Sequence, residues 1–119
     1  MRKVLVAEDN DSNFILMCYL LKKHYEVVRA GNGRDAIETI ESGGDIDIVL
    51  MDLKMPEMDG LEATRILKGK YPALPIIALT ANAFSSDREQ AFAAGCDDFI
   101  SKPVNSELCL ETMAKYLKN

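Results

Sequence analysis

The segment Ile48-Val-Leu-Met-Asp-Leu-Lys-Met-Pro-Glu-Met-Asp-Gly60 contains the pattern from which the fold of this sequence is predicted. The apolar run from Ile46 to Met51 predicts a strand that is buried on both faces, and Asp52 closes it. Asp59 with Glu62 fits a capping box, which predicts that a helix begins shortly after the loop. The segment therefore predicts a strand, a loop and a helix, with an acid at the end of the strand.

The same unit recurs along the chain. Four more runs rich in Val, Ile and Leu predict strands at Val4 to Ala7, Val27 to Ala30, Ile76 to Thr80 and Phe99 to Ser101. The segments between them have helical spacing, and their predicted boundaries are Asn32, Ser86 with Glu89, Gly95 and Asn105. Strands that alternate with helices through short connections form a parallel sheet, and strands without a polar face need helices on both sides. We predict one α/β domain, residues 1–119, with a doubly wound five-stranded parallel sheet.

Composition and charge exclude several functional classes. The chain has 119 residues, of which 48% are hydrophobic and 28% charged, as in an ordinary globular domain rather than a disordered one. Nineteen acidic against fourteen basic residues give a net charge of −5, and the basic residues are scattered, so nucleic-acid binding is not expected. No apolar run approaches the roughly 18 residues of a membrane span. We expect a cytoplasmic domain without a signal peptide, an anchor or membrane contact.

The cysteine pattern favours reduced thiols. Cys18, Cys96 and Cys109 are odd in number and lack CxxC spacing, so we expect all three to be buried and unpaired. The single histidine, His24, is far along the chain from two of them, which disfavours a zinc site and makes an exposed histidine the simpler expectation.

Polar, chemically useful side chains stand where the predicted strands end. The first strand leads into Glu8 and Asp9, the third into Asp52, the fourth into Thr80 and the fifth into Lys102. In a doubly wound sheet these strand ends meet at one edge, where ligands bind. Carboxylates from different strands repel one another unless a cation lies among them, and hard oxygen ligands suit Mg²⁺, with Mn²⁺ as a substitute. With an ammonium and a hydroxyl beside the acids, the pattern predicts a site for phosphoryl chemistry.

The chain resembles the receiver domain of two-component response regulators over essentially its whole length. The resemblance is carried by Val4-Leu-Val-Ala-Glu-Asp-Asn10, the segment from Ile48 to Gly60, Ile76-Ile-Ala-Leu-Thr-Ala81 and Gly95-Cys-Asp-Asp-Phe-Ile-Ser-Lys-Pro103. The most specific part is the pattern Asp-x-x-Met-Pro-x-Met-Asp-Gly. The start of the chain and Met55-Pro56 look most like receivers of hybrid histidine kinases, with a stand-alone regulator as the alternative. The resemblance implies a flavodoxin-like (βα)5 fold with strand order 2-1-3-4-5.

The same resemblance implies a role for each acid of the site. Asp52 would be the phosphoacceptor, and Mg²⁺ would be held by Glu8, Asp9, Asp52 and the main-chain carbonyl of Lys54. Lys54 and Asn82 would flank the approach of water to the phosphoryl group, so these two residues are expected to tune its lifetime.

The resemblance also implies a switch and a set of partners. Thr80 would be the signalling hydroxyl, Lys102 the phosphate-binding lysine and Phe99 the aromatic switch, and the peptide bond between Lys102 and Pro103 would be cis. The phosphodonor would be a histidine kinase or a histidine phosphotransfer protein. A weak homodimer through the fourth helix, fifth strand and fifth helix is a further expectation. Such a domain is not an enzyme on a separate substrate; it assists its own phosphotransfer and dephosphorylation.

Other interpretations fit less well. A Mg²⁺-dependent phosphatase with an aspartate nucleophile would also use Asp52, but it needs an acid two residues later, where Lys54 stands. A flavin-binding module of similar topology needs a hydroxyl-rich loop after the first strand. The run from Gly31 to Ala36 imitates a dinucleotide fingerprint but follows the second strand instead of the first. A calcium loop starting at Asp9 fails because Phe14 stands where glycine is required.

The first predicted helix is unusually apolar. Phe14 to Leu21 contains eight apolar or aromatic residues in succession, more than one helix face needs. We expect packing against the last helix to cover most of the excess, through Leu108, Cys109, Met113, Tyr116 and Leu117. The remainder is expected to be a docking surface for the phosphodonor.

Overall fold

The structure, a computed structural model, describes residues 1–55, 58–81 and 86–117. In these ranges five strands alternate with five helices along the chain. The strands are β1 (Lys3–Ala7), β2 (Glu26–Ala30), β3 (Ile48–Asp52), β4 (Ile76–Thr80) and β5 (Asp98–Ser101). The helices are α1 (Asp11–Leu21), α2 (Gly33–Glu41), α3 (Gly60–Lys70), α4 (Ser86–Ala94) and α5 (Ser106–Tyr116).

The five strands form one parallel sheet in the order β2-β1-β3-β4-β5. The predicted doubly wound fold and its strand order are therefore confirmed. The order reverses between β1 and β3, which is where such sheets bind ligands. Ala7 pairs with Met51, so Glu8 and Asp52 lie side by side at that reversal. The fold thus places two of the predicted acids on neighbouring strands at the same level.

Helices cover the sheet on both faces, as the apolar strands require. Every residue of β3 and of β4 is buried. Alternate strand residues point to opposite faces and join two separate apolar clusters. The cluster that includes residues of α1 and α5 contains Val4, Val6, Met17, Leu21, Ile48, Leu50, Ile77, Leu79, Ile100, Cys109 and Met113. The cluster on the other face includes Leu5, Ala7, Val49, Met51, Ala63, Leu67, Ile76, Ala78 and Ala91.

Three helix starts confirm capping residues that the sequence predicts. Asn32, Asp59 and Asn105 each accept a hydrogen bond from the main-chain N–H three residues later. Gly95 follows α4 with φ +112, a conformation that favours glycine. The residues before Ser86, 82–85, lie outside the described residues, so the cap predicted at Ser86 with Glu89 stays a prediction.

Gly60 occupies a tight position between α3 and the end of β3. A Cβ atom there would lie 2.2 Å from the main-chain oxygen of Asp52. The Gly60 N–H also donates to the carbonyl of Leu53 at 3.1 Å. Gly60 therefore allows α3 to begin directly against the strand that ends in Asp52.

Two expectations about burial need correction. Cys96 and Cys109 are buried and burial raises the pKa of each thiol to about 11, but Cys18 is only half-buried; all three are free. Packing against α5 does not cover most of the apolar excess of α1, because Ile15, Leu16 and Tyr19 remain 60%, 63% and 73% exposed. The fully buried side chains of this helix are those of Met17 and Leu21, one helical turn apart, and the partly buried Phe14 and Leu20 pack against the same cluster.

His24 is exposed, as expected. No helix in the described ranges has the length and apolar character needed to cross a bilayer.

Candidate functional site

The carboxyl edge of the sheet gathers the polar residues that end the strands. Glu8, Asp52 and Thr80 are almost fully buried there, whereas Asp9 is exposed. A pocket of about 160 Å³ opens over this edge. Its lining consists of Asp52, Leu53, Lys54, Leu79, Thr80, Ala81, Asp87 and Lys102. The structure thus brings residues from the ends of β3, β4 and β5 around one small cavity.

Three carboxylates form a cluster beside this pocket. Glu8, Asp9 and Asp52 each offer one oxygen, and these oxygens lie within 4.8 Å of one another. Ligand oxygens on opposite sides of an octahedral Mg²⁺ are about 4.2 Å apart, so the cluster is close to the size that this ion requires. The donor set is hard and anionic, which fits Mg²⁺, and this cluster has none of the thiolate or imidazole ligands typical of structural zinc and copper sites.

Lys102 connects the two buried acids. Its Nζ donates to Asp52 Oδ2 at 2.9 Å and to Glu8 Oε1 at 3.2 Å. Burial alone disfavours the ammonium, but hydrogen bonds and charge from Asp52 and Glu8 outweigh it, so the pKa of Lys102 is raised. The site therefore contains a permanent cation in contact with the acid that ends β3.

The surroundings of Glu8 disfavour its charged form. Burial, followed by the hydrogen bond and charge of Asp52, raises the pKa of the Glu8 carboxyl above its ordinary value. The main-chain N–H of Asn10, which donates to Glu8 Oε2 at 3.2 Å, and the charge of Lys102 oppose that rise. A buried acid whose charged form is disfavoured by its surroundings is typical of a functional site.

Asp52 is oriented by the chain that follows it. The main-chain N–H of Lys54 donates to Asp52 Oδ1 at 3.1 Å, while Oδ2 accepts from Lys102. Both oxygens therefore have a fixed partner, and the carboxylate cannot rotate freely. Preorganisation of this kind favours a nucleophile that must meet its target in one geometry.

Thr80 carries an unsatisfied hydroxyl. Its Oγ1 is buried and, within the described residues, has no hydrogen-bond partner. An unmade hydrogen bond on a buried group costs about 1–3 kcal/mol. Because Thr80 lines the same pocket as Asp52 and Lys102, this hydroxyl is placed to serve an oxygen that enters the pocket.

Phe99 lies outside the pocket. It is half-buried on β5, where the Phe92 ring meets it edge-on with the centroids 6.0 Å apart. The Arg88 guanidinium lies 4.8 Å from the centroid of the Phe99 ring. The structure therefore places the predicted switch residue against α4 instead of against the acids.

Lys54 reaches toward α4 across the pocket. Its side chain is 79% exposed, and its Nζ is 4.0 Å from Asp87 Oδ2, at the outer limit of an ion pair. Asp87 is a site residue that the sequence does not identify. Its only signal is its position in the first turn of α4, where acids are common for helix stability alone.

Two remaining predictions concern single positions. The peptide bond between Lys102 and Pro103 is cis. Asn82, the other residue expected to tune the phosphoryl lifetime, lies outside the described residues.

Comparison with known proteins places this chain in a family. The family model described as the response regulator receiver domain matches residues 4–114. The hybrid signal transduction histidine kinase H of Dictyostelium discoideum is 39% identical over 112 residues. That match covers 89% of this chain and 8% of the kinase, so the chain corresponds to a small part of that relative.

Solved structures agree with the fold. The receiver domain of sensor histidine kinase PA1611 from Pseudomonas aeruginosa, which has a magnesium ion coordinated in its active-site cleft, aligns with TM-score 0.90 and 32% identity. The alignment covers 97% of this chain and 96% of that one. The receiver domain of Ssk1 from Saccharomyces cerevisiae, crystallised with the histidine phosphotransfer protein Ypd1, aligns with TM-score 0.89 and 27% identity over 97% and 88% of the two chains.

Proposed function

The chain belongs to the response regulator receiver domain family, and from that premise we propose that it is a phosphoacceptor signalling domain in which Asp52 takes a phosphoryl group from a phosphohistidine. The observation that carries the proposal is the pocket at the carboxyl edge. In it the Asp52 carboxylate, the Lys102 ammonium and the Thr80 hydroxyl, which has no partner among the described residues, surround one small volume. The domain comprises residues 1–119 and works in the cytoplasm in this proposal.

Phosphotransfer follows from the charges of the site. A carboxylate oxygen of Asp52 forms a bond to phosphorus while the bond between phosphorus and the donor histidine nitrogen breaks, and the imidazole leaves with that electron pair. Lys102 neutralises charge on the transferred oxygens. Glu8, Asp9, Asp52 and the main-chain carbonyl of Lys54 would hold Mg²⁺. The bound ion would supply further neutralisation of the phosphoryl oxygens.

The new phosphoryl group changes the partners of two residues. Lys102, which contacts Asp52 and Glu8, gains phosphate oxygens as acceptors. Thr80 gains an acceptor for a hydroxyl that has no partner in the described part of the chain. We expect Thr80 to move toward the phosphoryl group and Phe99 to turn into the space beside it. The face formed by α4, β5 and α5 would then change shape, as a shift between two populations.

The phosphodonor is proposed to dock on α1. Ile15, Leu16 and Tyr19 form an exposed apolar surface on this helix. It continues into an apolar pocket of about 320 Å³ whose lining also includes Glu8, Lys102, Pro103 and Val104. A histidine kinase or histidine phosphotransfer protein seated there would present its phosphohistidine beside Asp52.

A weak homodimer through α4, β5 and α5 is part of the proposal. Its support is the exposure of two apolar side chains, Phe92 on α4 at 42% and Leu108 on α5 at 54%.

Acetyl phosphate with Mg²⁺, followed by intact mass, tests the proposal. We expect one phosphoryl group on the unaltered chain and none on Asp52→Asn, because the neutral amide lacks the anionic oxygen of the carboxylate and the lone pair of its nitrogen is delocalised into the carbonyl. Asp45→Asn is the matched control, since Asp45 is exposed, lies before β3 at the opposite edge of the sheet, and has a positive φ that asparagine tolerates.

An adduct that persists in Asp52→Asn would place the nucleophile elsewhere and reject the proposal. Catalytic release of phosphate from a phosphomonoester such as p-nitrophenyl phosphate would instead favour the aspartate-nucleophile phosphatase.

A further inference from the structure

We propose that Arg29 is a positioning residue that fixes the acidic pair Glu8–Asp9 for binding a divalent cation. The inference rests on the proposed function, because it assigns Glu8 and Asp9 to the cation site. It goes beyond that function by naming a basic residue, on a strand that supplies no ligand, as a requirement of the site.

Arg29 lies on β2 and grips the main chain that carries both acids. Its Nε and Nη2 donate to the carbonyl of Glu8 at 3.3 and 3.2 Å, and Nη2 donates to the carbonyl of Asp9 at 3.4 Å. Nη2 also pairs with Asp11 Oδ1 at 2.9 Å. The planar fork of the guanidinium is suited to such simultaneous contacts.

The Phe14 ring fixes the guanidinium from the side. Its centroid lies 4.7 Å from Arg29 Cζ, a cation–π geometry. Arg29 is thus held by Asp11 and Phe14, both on α1, while it holds the segment between β1 and that helix. The hydrogen bonds from Arg29 to the loop are therefore fixed by contacts at the junction of β1, β2 and α1.

The acidic pair needs such a restraint. Glu8 and Asp9 follow β1 directly, and their carboxylates approach that of Asp52 within 4.8 Å. Like charges at that distance push the loop away from β3. The main-chain ladder holds Glu8 through its N–H, which donates to Ala30, but the carbonyls of Glu8 and Asp9 are held by Arg29. Removing Arg29 would therefore let the ligands spread.

The positive charge of Arg29 allows a positioning role to be distinguished from an electrostatic one, because the two roles predict opposite changes in the affinity for Mg²⁺. A cation near the site repels Mg²⁺, so by charge alone the loss of Arg29 should tighten Mg²⁺ binding. If Arg29 acts by positioning, its loss should weaken binding, because the carboxylates no longer converge. The two roles predict opposite signs, and a purely structural role predicts a change in stability without a change in Kd.

The experiment is a calorimetric titration of the full chain with Mg²⁺, for the unaltered protein and for Arg29→Met. Methionine keeps an apolar stem against Phe14 and removes every donor. We expect Kd to rise about three- to tenfold, at or below the lower end of the roughly 10–100-fold that the loss of residues orienting metal ligands typically costs. Lys22→Met is the matched control. It removes the same charge from the residue after α1, where the Lys22 ammonium lies 4.5 Å from the Tyr19 ring centroid.

Arg29→Lys separates geometry from charge and serves if Arg29→Met does not fold. A lysine keeps the charge but cannot span the two carbonyls and Asp11 with one ammonium. We expect its Kd to lie between those of the unaltered chain and Arg29→Met. Circular dichroism confirms that each variant is folded at the titration temperature. In the absence of Mg²⁺, the amide NMR signals of Asp9 and Asn10 should shift in both Arg29 variants and stay in place in Lys22→Met.

Equal or tighter Mg²⁺ binding by the folded Arg29 variants would overturn the inference while leaving the proposed function intact. Absence of saturable Mg²⁺ binding by the unaltered chain would overturn both.

Discussion

The surroundings of Thr80 indicate a ligand more directly than those of the other site residues. Its hydroxyl is buried beside Asp52 and, among the residues described, has no hydrogen-bond partner. A hydroxyl retained at such a cost needs a compensating use. The phosphoryl oxygen of the proposed function supplies that use, since the aspartyl phosphate would form in the pocket that Thr80 lines.

Thr80→Val tests this use with an isosteric side chain. The unphosphorylated variant should have a free energy of unfolding about 1 kcal/mol higher than that of the unaltered chain. The reason is that the substitution removes a buried hydroxyl that has no partner in the described residues. Phosphorylation of Asp52 should persist, but a fluorine label on Phe99 should no longer report it. Urea unfolding and ¹⁹F NMR measure the two effects.

Thr80→Ser is the control for this variant, because it keeps the hydroxyl and should keep the phosphorylation-dependent signal of Phe99. A full signal in Thr80→Val would reject the role of Thr80 in the switch.

The site residues that end strands could be predicted, whereas those that act from neighbouring elements could not. Glu8, Asp52 and Lys102 follow apolar runs, and parallel topology alone brings such positions together. Arg29 and Asp87 belong to β2 and α4, and their contacts depend on how these elements pack against the loops. Apolar strand runs and helix caps are local patterns in the sequence, but side-chain reach between elements is not.

At the scale of elements, the exposure of α1 could not be predicted for the same reason: it depends on how the helix packs against its neighbours. Eight apolar residues in succession predict that the helix is covered, but not which neighbour covers it. In the structure the helix buries Met17 and Leu21 and leaves three large side chains in solvent. The tertiary arrangement decided the outcome, because Cys109 and Met113 of α5 join the same apolar cluster as Met17 and Leu21, while the three other side chains stay exposed.

The contact between Lys54 and Asp87 links the loop after β3 to α4 over the pocket. We propose that the Lys54 stem lies across the path of water toward the phosphoryl group. Lys54→Ala should then speed loss of the phosphoryl group about threefold to tenfold, which corresponds to about 0.7–1.4 kcal/mol of barrier. Phosphate release from purified phosphoprotein measures the rate.

Two variants control the shielding experiment. Asp87→Asn keeps the lysine but weakens its partner, so a smaller acceleration is expected. Lys115→Ala removes an exposed lysine from the last turn of α5 and should leave the rate unchanged. An equal or slower rate in Lys54→Ala would refute shielding.

At the scale of the whole molecule, the cation site lies where the order of the sheet reverses. Its three acids come from the ends of β1 and β3, the two central neighbours of that reversal. A cation bound there joins both strands in the folded chain, and the unfolded chain offers no such cluster. Mg²⁺ should therefore stabilise the entire fold through mass action, by about 2.7 kcal/mol at one hundred times its Kd.

Asp9→Asn tests this coupling, because Asp9 is exposed and its amide form costs the fold little. The variant should bind Mg²⁺ more weakly and lose most of the Mg²⁺-dependent gain in the free energy of unfolding. Without Mg²⁺ it should be slightly more stable than the unaltered chain, since one of three clustered charges is gone. Asp45→Asn, at the opposite edge of the sheet, should keep the full gain. A gain of equal size in Asp9→Asn would remove Asp9 from the site.

The pH dependence of the same measurement carries a definite sign. Burial and Asp52 raise the pKa of Glu8 above its ordinary value of 4.5, so the folded chain without Mg²⁺ takes up a proton at higher pH than the unfolded chain. The contribution of Glu8 to stability without Mg²⁺ therefore increases as the pH falls through that raised pKa, and the increase is complete below 4.5. Binding of Mg²⁺ requires the carboxylate, so the gain from Mg²⁺ should shrink over the same window. Urea unfolding with and without Mg²⁺ at a series of pH values measures both curves. In Glu8→Gln the change of stability with pH over this window should disappear. If the Mg²⁺-dependent gain in the free energy of unfolding of the unaltered chain stays constant down to pH 4.5, Glu8 is not a ligand.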